Sequence, residues 1–228
     1  MKISWRTEIA SWAILGAMFV LAATAWSWAP DQIPTHWNLQ GQADGYSGKA
    51  VGLFLFPCTA LAVYLLLLLL PLIDPKRLNY QKFAGTYRVL RVALIAFFGV
   101  IYGIVQLSIR GRSALGTAIL PLAIGALFVV LGNYMGKIRP NWFIGVRTPW
   151  TLSSPRVWTK THRQCGWAFV IAGILVILTD LLMNTWTYYV LLGTAIASVL
   201  YAYAYSYFAW RAEKTGGGEP ESTHGGDT

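Results

Sequence analysis

The stretch that decides the fold is Val51-Gly52-Leu53-Phe54-Leu55-Phe56-Pro57-Cys58-Thr59-Ala60-Leu61-Ala62, continuing Val63-Tyr64-Leu65-Leu66-Leu67-Leu68-Leu69-Leu70-Pro71-Leu72-Ile73. It contains no charged side chain. At a helical rise of ~1.5 Å per residue, about 20 such residues cross the ~30 Å hydrocarbon core of a bilayer. A barrel strand would alternate apolar and polar positions over about 10 residues, whereas this run is apolar throughout. It therefore reads as a membrane-spanning helix. Pro57 inside it is tolerated better in lipid than in water.

Working outward, five more stretches read the same way: 9–29, 89–109, 115–135, 166–183 and 187–210. Pro121 again sits inside a span. The first stretch ends near Ala23-Thr24-Ala25, which looks like a signal-peptidase site. It is read instead as a retained helix, because the run is longer than a typical signal core and Glu8 sits in its flank. Composition agrees: of 228 residues, 56% are hydrophobic and 12% charged, against about a quarter charged in a soluble domain. Mean hydropathy is +0.50. These values exclude a disordered body, a disulfide-rich secreted module and an ordinary cytosolic enzyme. The expectation is an all-α membrane protein with six transmembrane helices.

The net charge of +9 would suggest nucleic acid in a soluble chain. No basic domain stands apart from the spans, so no direct nucleic-acid partner is expected. The Lys and Arg positions instead orient the protein. With the N-terminus inside, inner segments hold Lys2, Arg6, Lys76, Arg77, Lys82, Arg88, Arg91, Lys137, Arg139, Arg147, Arg156, Lys160, Arg163, Arg211 and Lys214. Outer segments hold only Lys49, Arg110 and Arg112. Both termini are thus expected to be cytoplasmic.

Spans two and four echo each other, as Gly52-x4-Pro57 and Gly116-x4-Pro121. Cys58 and Cys165 should differ in depth by well over 10 Å, beyond the ~7 Å Cα separation a disulfide allows, so both are expected to be free thiols. From position 212 the chain is rich in Gly, Glu and Ser and is expected to be disordered, His224 included.

Two loops carry more pattern than anchoring requires. The outer one, 30–49, has Pro30 and Pro34 stiffening its start, and Gly41 and Gly45 are expected to make turns with positive φ. Pro34, His36, Asn38, Gly41 and Asp44 are its candidate ligand contacts. Asp31, His36 and Asp44 form a weak metal signal, and a hydrogen-bonded histidine is the preferred reading. The inner one, 132–163, is broken by Pro140 and Pro149 and turned by Gly145. Trp142, Phe143, Trp150 and Trp158 suit the headgroup layer. Ser154-Pro155 reads as an N-cap and first helical residue. At 100° per residue Arg156, Lys160 and Arg163 then share one face, opposite Trp158, Thr161, His162 and Cys165. That is one interfacial amphipathic helix before helix five. His162 is read as a hydrogen-bonded structural residue at this boundary.

The inner loop resembles the signature of the SdpI immunity-protein family. The residues that carry it are Gly132-Asn133, Arg139-Pro140-Asn141, Phe143, Gly145-Val146-Arg147-Thr148-Pro149-Trp150-Thr151-Leu152-Ser153, Val157-Trp158 and Lys160-Thr161-His162-Arg163. Ile33-Pro34-Thr35-His36-Trp37-Asn38, Gly41 and Asp44 are similar to a segment often found in front of it. The resemblance covers about residues 8–211. It implies an N-terminal two-helix segment (1–73) and a four-helix SdpI-like region (74–211); the Gly-rich tail (212–228) is not part of the pattern. It also implies a multi-pass bacterial inner-membrane protein that resists a membrane-active peptide toxin at its outer face and holds a winged-helix repressor at its inner face. Asn133, Arg139, Pro140, Asn141, Gly145, Arg147, Thr148, Pro149, Trp150, Trp158, Lys160, His162 and Arg163 are the candidate partner surface. The expected partners are thus lipid, toxin and repressor, with no cofactor and no metal.

The alternative is a small transporter or channel, in which polar groups within the spans would mark a path. Glu8, Arg91, Gln106 and Asp180 are the groups concerned. Glu8 and Arg91 are expected near inner helix ends, where they can snorkel, and Asp180 is placed to pair with Arg110 or Arg112. An enzyme is not expected: no catalytic triad, zinc motif or phosphate-cradling loop is present.

Overall fold

The computed structural model describes residues 5–38, 42–183 and 186–216. The chain runs α1 (Trp5–Ala25), β1 (Gln32–Trp37), β2 (Ala43–Gly48), α2 (Lys49–Ile73), α3 (Asn79–Lys82), α4 (Ala84–Ser108), α5 (Ser113–Met135), α6 (Pro149–Ser153), α7 (Pro155–Met183) and α8 (Thr187–Gly216). Helices α1, α2, α4, α5, α7 and α8 are long and apolar enough to cross a membrane. Large apolar side chains such as Leu69, Leu72, Leu181 and Leu182 lie on their outer surfaces, more than half exposed. In water such a surface would aggregate; in lipid it is already in its preferred solvent.

Two buried clusters organise the interior. The first joins α1, β1, α2 and α4 through Leu15, Met18, Ile33, Leu53, Tyr64, Ile95 and Tyr102. The second joins α3, α4, α5 and α7 through Tyr80, Phe83, Tyr87, Met135, Trp158 and Cys165. Helices α5 and α7 pack backbone against backbone. A Cβ at Gly132 would lie 2.6 Å from the Gly166 carbonyl oxygen, and one at Gly173 would lie 2.5 Å from that of Gly125. Both helices carry the small residue at a seven-residue interval, two turns apart, so each pair recurs on the same face.

Four features refine or correct the expectations. First, the shaped outer loop is an antiparallel hairpin, with Gln32 opposite Gly48 and Ile33 opposite Ser47. Asn38 closes its tip: its N–H donates to Gln42 O at 2.9 Å and its side chain accepts from Gln42 N at 2.9 Å. Ile33 is fully buried, seated where a Cβ on Gly52 would intrude to 2.4 Å. Second, Gly45 does not have a positive φ; among the described residues that conformation belongs to Gly111 and Gly145. Gly45 is needed for closeness, since its Cβ would come 2.8 Å from His36 Cβ. Third, the basic segment from Pro155 is not a separate helix but the opening turns of α7. Nothing after Pro155 interrupts the backbone, and Gly166 is held by Gly132. Fourth, α8 continues through Gly216, so residues 212–216 are helical. Glu213 reaches Arg156 at 3.7 Å, and Lys214 lies over Trp210. Residues 217–228 lie outside the described residues, as does Gly41. Both cysteines are free, Cys58 exposed and Cys165 buried.

Candidate functional site

The inner loop between α5 and α7 is a knot of hydrogen bonds, and its signature residues make it. Asn141 is fully buried. Its Oδ1 accepts from the backbone N–H groups of Phe143 (2.9 Å) and Ile144 (2.6 Å), while its Nδ2 donates to the carbonyls of Arg139 and Ile144, both at 3.0 Å. One amide side chain thus satisfies four backbone groups in a segment with no ladder of its own. Pro140 supplies its carbonyl to Asn79 Nδ2 at 2.8 Å, which ties α3 to the loop.

Asp74, at the C-cap of α2, adds the second tie and was not singled out in the sequence. It is 2% exposed. Oδ1 accepts from Lys76 N at 2.7 Å, and Oδ2 accepts from Tyr80 OH and from Trp142 N, both at 3.0 Å. Burial, then the bond to Asp74, push the Tyr80 phenol well above its ordinary pKa. A single carboxylate therefore joins α2, α3 and the signature loop. Charge-assisted bonds of this kind are roughly twice as strong as neutral ones.

His162 anchors the far end. Its Nε2 accepts from Val146 N at 3.0 Å, and its Nδ1 lies 2.9 Å from Trp158 O. The ring stacks on Trp158 at 4.1 Å, and Trp158 Nε1 donates to Ile138 O at 2.9 Å. Gly145 has φ +104, and a Cβ there would meet His162 Nε2 at 2.2 Å. The glycine is required twice over, by its conformation and by the ring. Thr148 and Thr151 form a reciprocal capping box at the start of α6, with Pro149 as its first residue. Thr148 Oγ1 also donates to Ser206 on α8 at 3.0 Å. Trp150 packs edge-on against Tyr203 and Tyr207, with ring centres 5.0 and 5.2 Å away.

The candidate residues thus divide. Asn141, Thr148, Trp158 and His162 are buried and hold the loop. Trp158 is buried inside the protein rather than exposed on its surface. Asn133, Arg139, Arg147, Lys160 and Arg163 are exposed. Arg147 donates to Trp142 O at 2.6 Å and otherwise faces outward.

At the other end of the helices, His36 Nδ1 lies 2.6 Å from Asp44 Oδ1 on the exposed hairpin. Asp31 faces Lys49 at 3.9 Å instead of this pair. Among the described residues no three His, Cys, Asp or Glu side chains converge as metal ligands. Pro34 lies opposite Tyr46.

Residues 137–206 match the SdpI/YfhL protein family. Residues 13–61, which span most of α1, the hairpin and the start of α2, match a domain of unknown function, DUF1648. The chain is similar to the immunity protein SdpI of Bacillus subtilis (strain 168), with 25% identity over 171 residues, covering 75% of this chain and 80% of that protein. No solved structure matches. The SdpI match begins at Lys137 and ends at Ser206, so it takes in the Asn141 knot, the His162 anchor, α6, α7 and the first two thirds of α8.

Within the helices, Glu8 and Arg91 do not snorkel. Both side chains are almost wholly buried, at 3% and 1% exposure, and Arg91 Nη2 donates to Glu8 Oε1. Tyr64 OH donates to the other carboxylate oxygen at 3.1 Å. The ring of Tyr87 flanks the guanidinium at 5.4 Å. Isolated charges in lipid are costly, so each residue holds the other in place. Sequence distance hid the pair, since 83 residues separate the two. Asp180 does not reach Arg110 or Arg112. Arg110 donates instead to the side-chain and backbone oxygens of Gln106 at 2.8 and 2.7 Å and lies over Trp28.

Proposed function

We propose that this chain is a bacterial inner-membrane immunity protein that resists a membrane-active peptide toxin and signals its presence by holding a transcriptional repressor at the cytoplasmic face. The observation that carries this reading is the similarity to the Bacillus subtilis immunity protein, which extends over three quarters of the chain. The strong excess of Lys and Arg on one side supports cytoplasmic termini. In that orientation the hairpin bearing His36 and Asp44 faces a toxin, and the knotted loop faces the cytosol. Arg147, Lys160 and Arg163 are the exposed cations that would meet an acidic repressor surface. Toxin binding must favour one helix arrangement over another for the signal to cross.

The test is a challenge assay. Expression of the chain in a sensitive strain is expected to protect it from a membrane-active peptide toxin. A tag after Trp210 is expected to be unreachable from outside sealed cells. Loss of protection in every toxin tried, or an externally reachable tag, would overturn the reading.

A second reading, a small transporter, is favoured by the cluster of Glu8, Ser11, Tyr64 and Arg91. Ser11 Oγ and the Nε and Nη1 atoms of Arg91 are buried there without hydrogen-bond partners. Solute flux in liposomes, abolished by Arg91→Leu, would support it.

A further inference from the structure

Between the inner ends of α2 and α4 and the start of α7 lies an open cleft of about 690 Å3. Four segments build it: Lys76 from the turn after α2, Asn79 and Lys82 from α3, Arg139 and Pro140 from the signature loop, and Pro155 at the start of α7. Three of these side chains are cations and none is a carboxylate. Three cations elsewhere pair with carboxylates: Lys49 with Asp31, Arg91 with Glu8, Arg156 with Glu213. Lys76, Lys82 and Arg139, like most of the exposed cations, have no acidic partner among the described residues; what sets them apart is that all three line one cleft. Asp74, two residues from Lys76, is buried and committed to three donors.

The cleft is also held in shape. The 2.8 Å bond from Asn79 to Pro140 O spans it at its base, and the Lys76 ammonium lies 5.7 Å from the Trp142 ring. Its lining is mostly carbon, which the proline rings and the aliphatic stems of the basic residues can supply. The start of α7 adds the positive end of a 29-residue helix. The cleft sits where α2 ends and α4 begins, at the level of the headgroups in the six-span reading.

An open, carbon-lined cleft bordered by three cations without acidic partners suits an amphiphile with a phosphate head. We infer that this cleft binds the phosphodiester headgroup of an anionic phospholipid of the inner leaflet. The site requires the membrane orientation argued above but is independent of any toxin or repressor. It also differs from the exposed face of Arg156, Lys160 and Arg163, none of which lines this cleft.

The experiment uses the full chain purified in a neutral detergent, with phosphatidylglycerol or phosphatidylcholine added. Retained lipid is read by native mass spectrometry and stability by melting temperature. Wild type is expected to retain one phosphatidylglycerol and to melt higher with it, while phosphatidylcholine does neither. Each of Lys76→Gln, Lys82→Gln and Arg139→Gln is expected to weaken retention about fivefold, and the triple variant on the order of a hundredfold. The Arg88→Gln/Lys137→Gln variant removes two inner cations that do not line the cleft and is expected to retain the lipid as wild type does. Equal retention of both lipids, or undiminished retention by the triple variant, would overturn the site. Equal stabilisation by inorganic phosphate, lost in the same variants, would assign the cleft to a free anion and overturn the lipid. If the triple variant does not fold, Lys82→Gln alone decides, because that side chain is exposed and unpaired. Toxin protection plays no part in this readout, so the inference and the immunity reading fail separately.

Discussion

Val146 donates its backbone N–H to the Nε2 atom of His162 at 3.0 Å, while the other ring nitrogen faces the Trp158 carbonyl oxygen at 2.9 Å. A carbonyl only accepts, so Nδ1 carries the proton and Nε2 is bare. The geometry thus fixes both the neutral ring and its tautomer. A second proton on Nε2 would set two N–H groups against each other. Protons therefore bind the unfolded loop better than the folded one, and stability is expected to fall as pH drops below the ordinary histidine value of about 6.5. Melting temperature in detergent between pH 5 and 8 checks this. The slope is expected to vanish in His162→Phe, which keeps a ring against Trp158 but leaves the Val146 N–H unpaired. That variant is expected to be about 1–3 kcal/mol less stable at neutral pH.

Asp74 is expected to matter out of proportion to its absence from the signature. Asp74→Ala strands one buried donor, the Tyr80 hydroxyl, and two part-buried backbone N–H groups, and is expected to cost about 2–3 kcal/mol. Asp74→Asn keeps one acceptor oxygen and should fall between the two. Limited proteolysis near Trp142, which loses its backbone partner, would show the loop loosening. Unchanged cleavage in Asp74→Ala would contradict the tie between α2 and the loop.

The pair of Glu8 and Arg91 predicts an asymmetry. Either single substitution, Glu8→Leu or Arg91→Leu, leaves one buried charge alone and is expected to destabilise by about 3–5 kcal/mol. The double substitution leaves none, and is expected to recover most of that loss. A double-mutant cycle in denaturant unfolding measures the coupling.

The glycine contacts between α5 and α7 predict that a single methyl group is harmful in the middle of a membrane helix. Gly132→Ala and Gly173→Ala each press a Cβ into a backbone oxygen on the other helix. Each is expected to cost about 1–3 kcal/mol. Gly193→Ala is the control, since a Cβ there meets nothing within 4 Å. Thermal melting of the three variants gives the comparison.

The six helices were legible because lipid imposes a length and a composition on each crossing, and both can be counted in residues such as 51–73. The two faces of early α7 were legible for a similar reason: Lys160 and Arg163 lie outside, and Thr161, His162 and Cys165 are buried. The hairpin was not. Its strands hold Pro34 and two glycines, and what fixes them is the seat of Ile33 on Gly52, a tertiary contact. Asp74 and the Glu8–Arg91 pair were hidden by sequence distance, since their partners lie up to 83 residues away. The signature residues announced that the loop was specific, and His162 is the hydrogen-bonded structural residue it was read to be; that Asn141 spends its polar atoms on the backbone was not announced. Gly125, Gly132, Gly166 and Gly173 did carry a readable sign, the seven-residue spacing on both helices, which becomes meaningful once α5 and α7 are known to be neighbours.

That seam limits how a message can travel across the membrane. Helices whose main chains touch have no side-chain layer to slide on, so α5 and α7 must translate or tilt as one beam. The α1–α2–α4 group meets its surroundings through interlocking side chains, which possess alternative rotamers and can shift register. Any stimulus on the hairpin would enter that group through Ile33 and leave it through Asp74, at the foot of the beam.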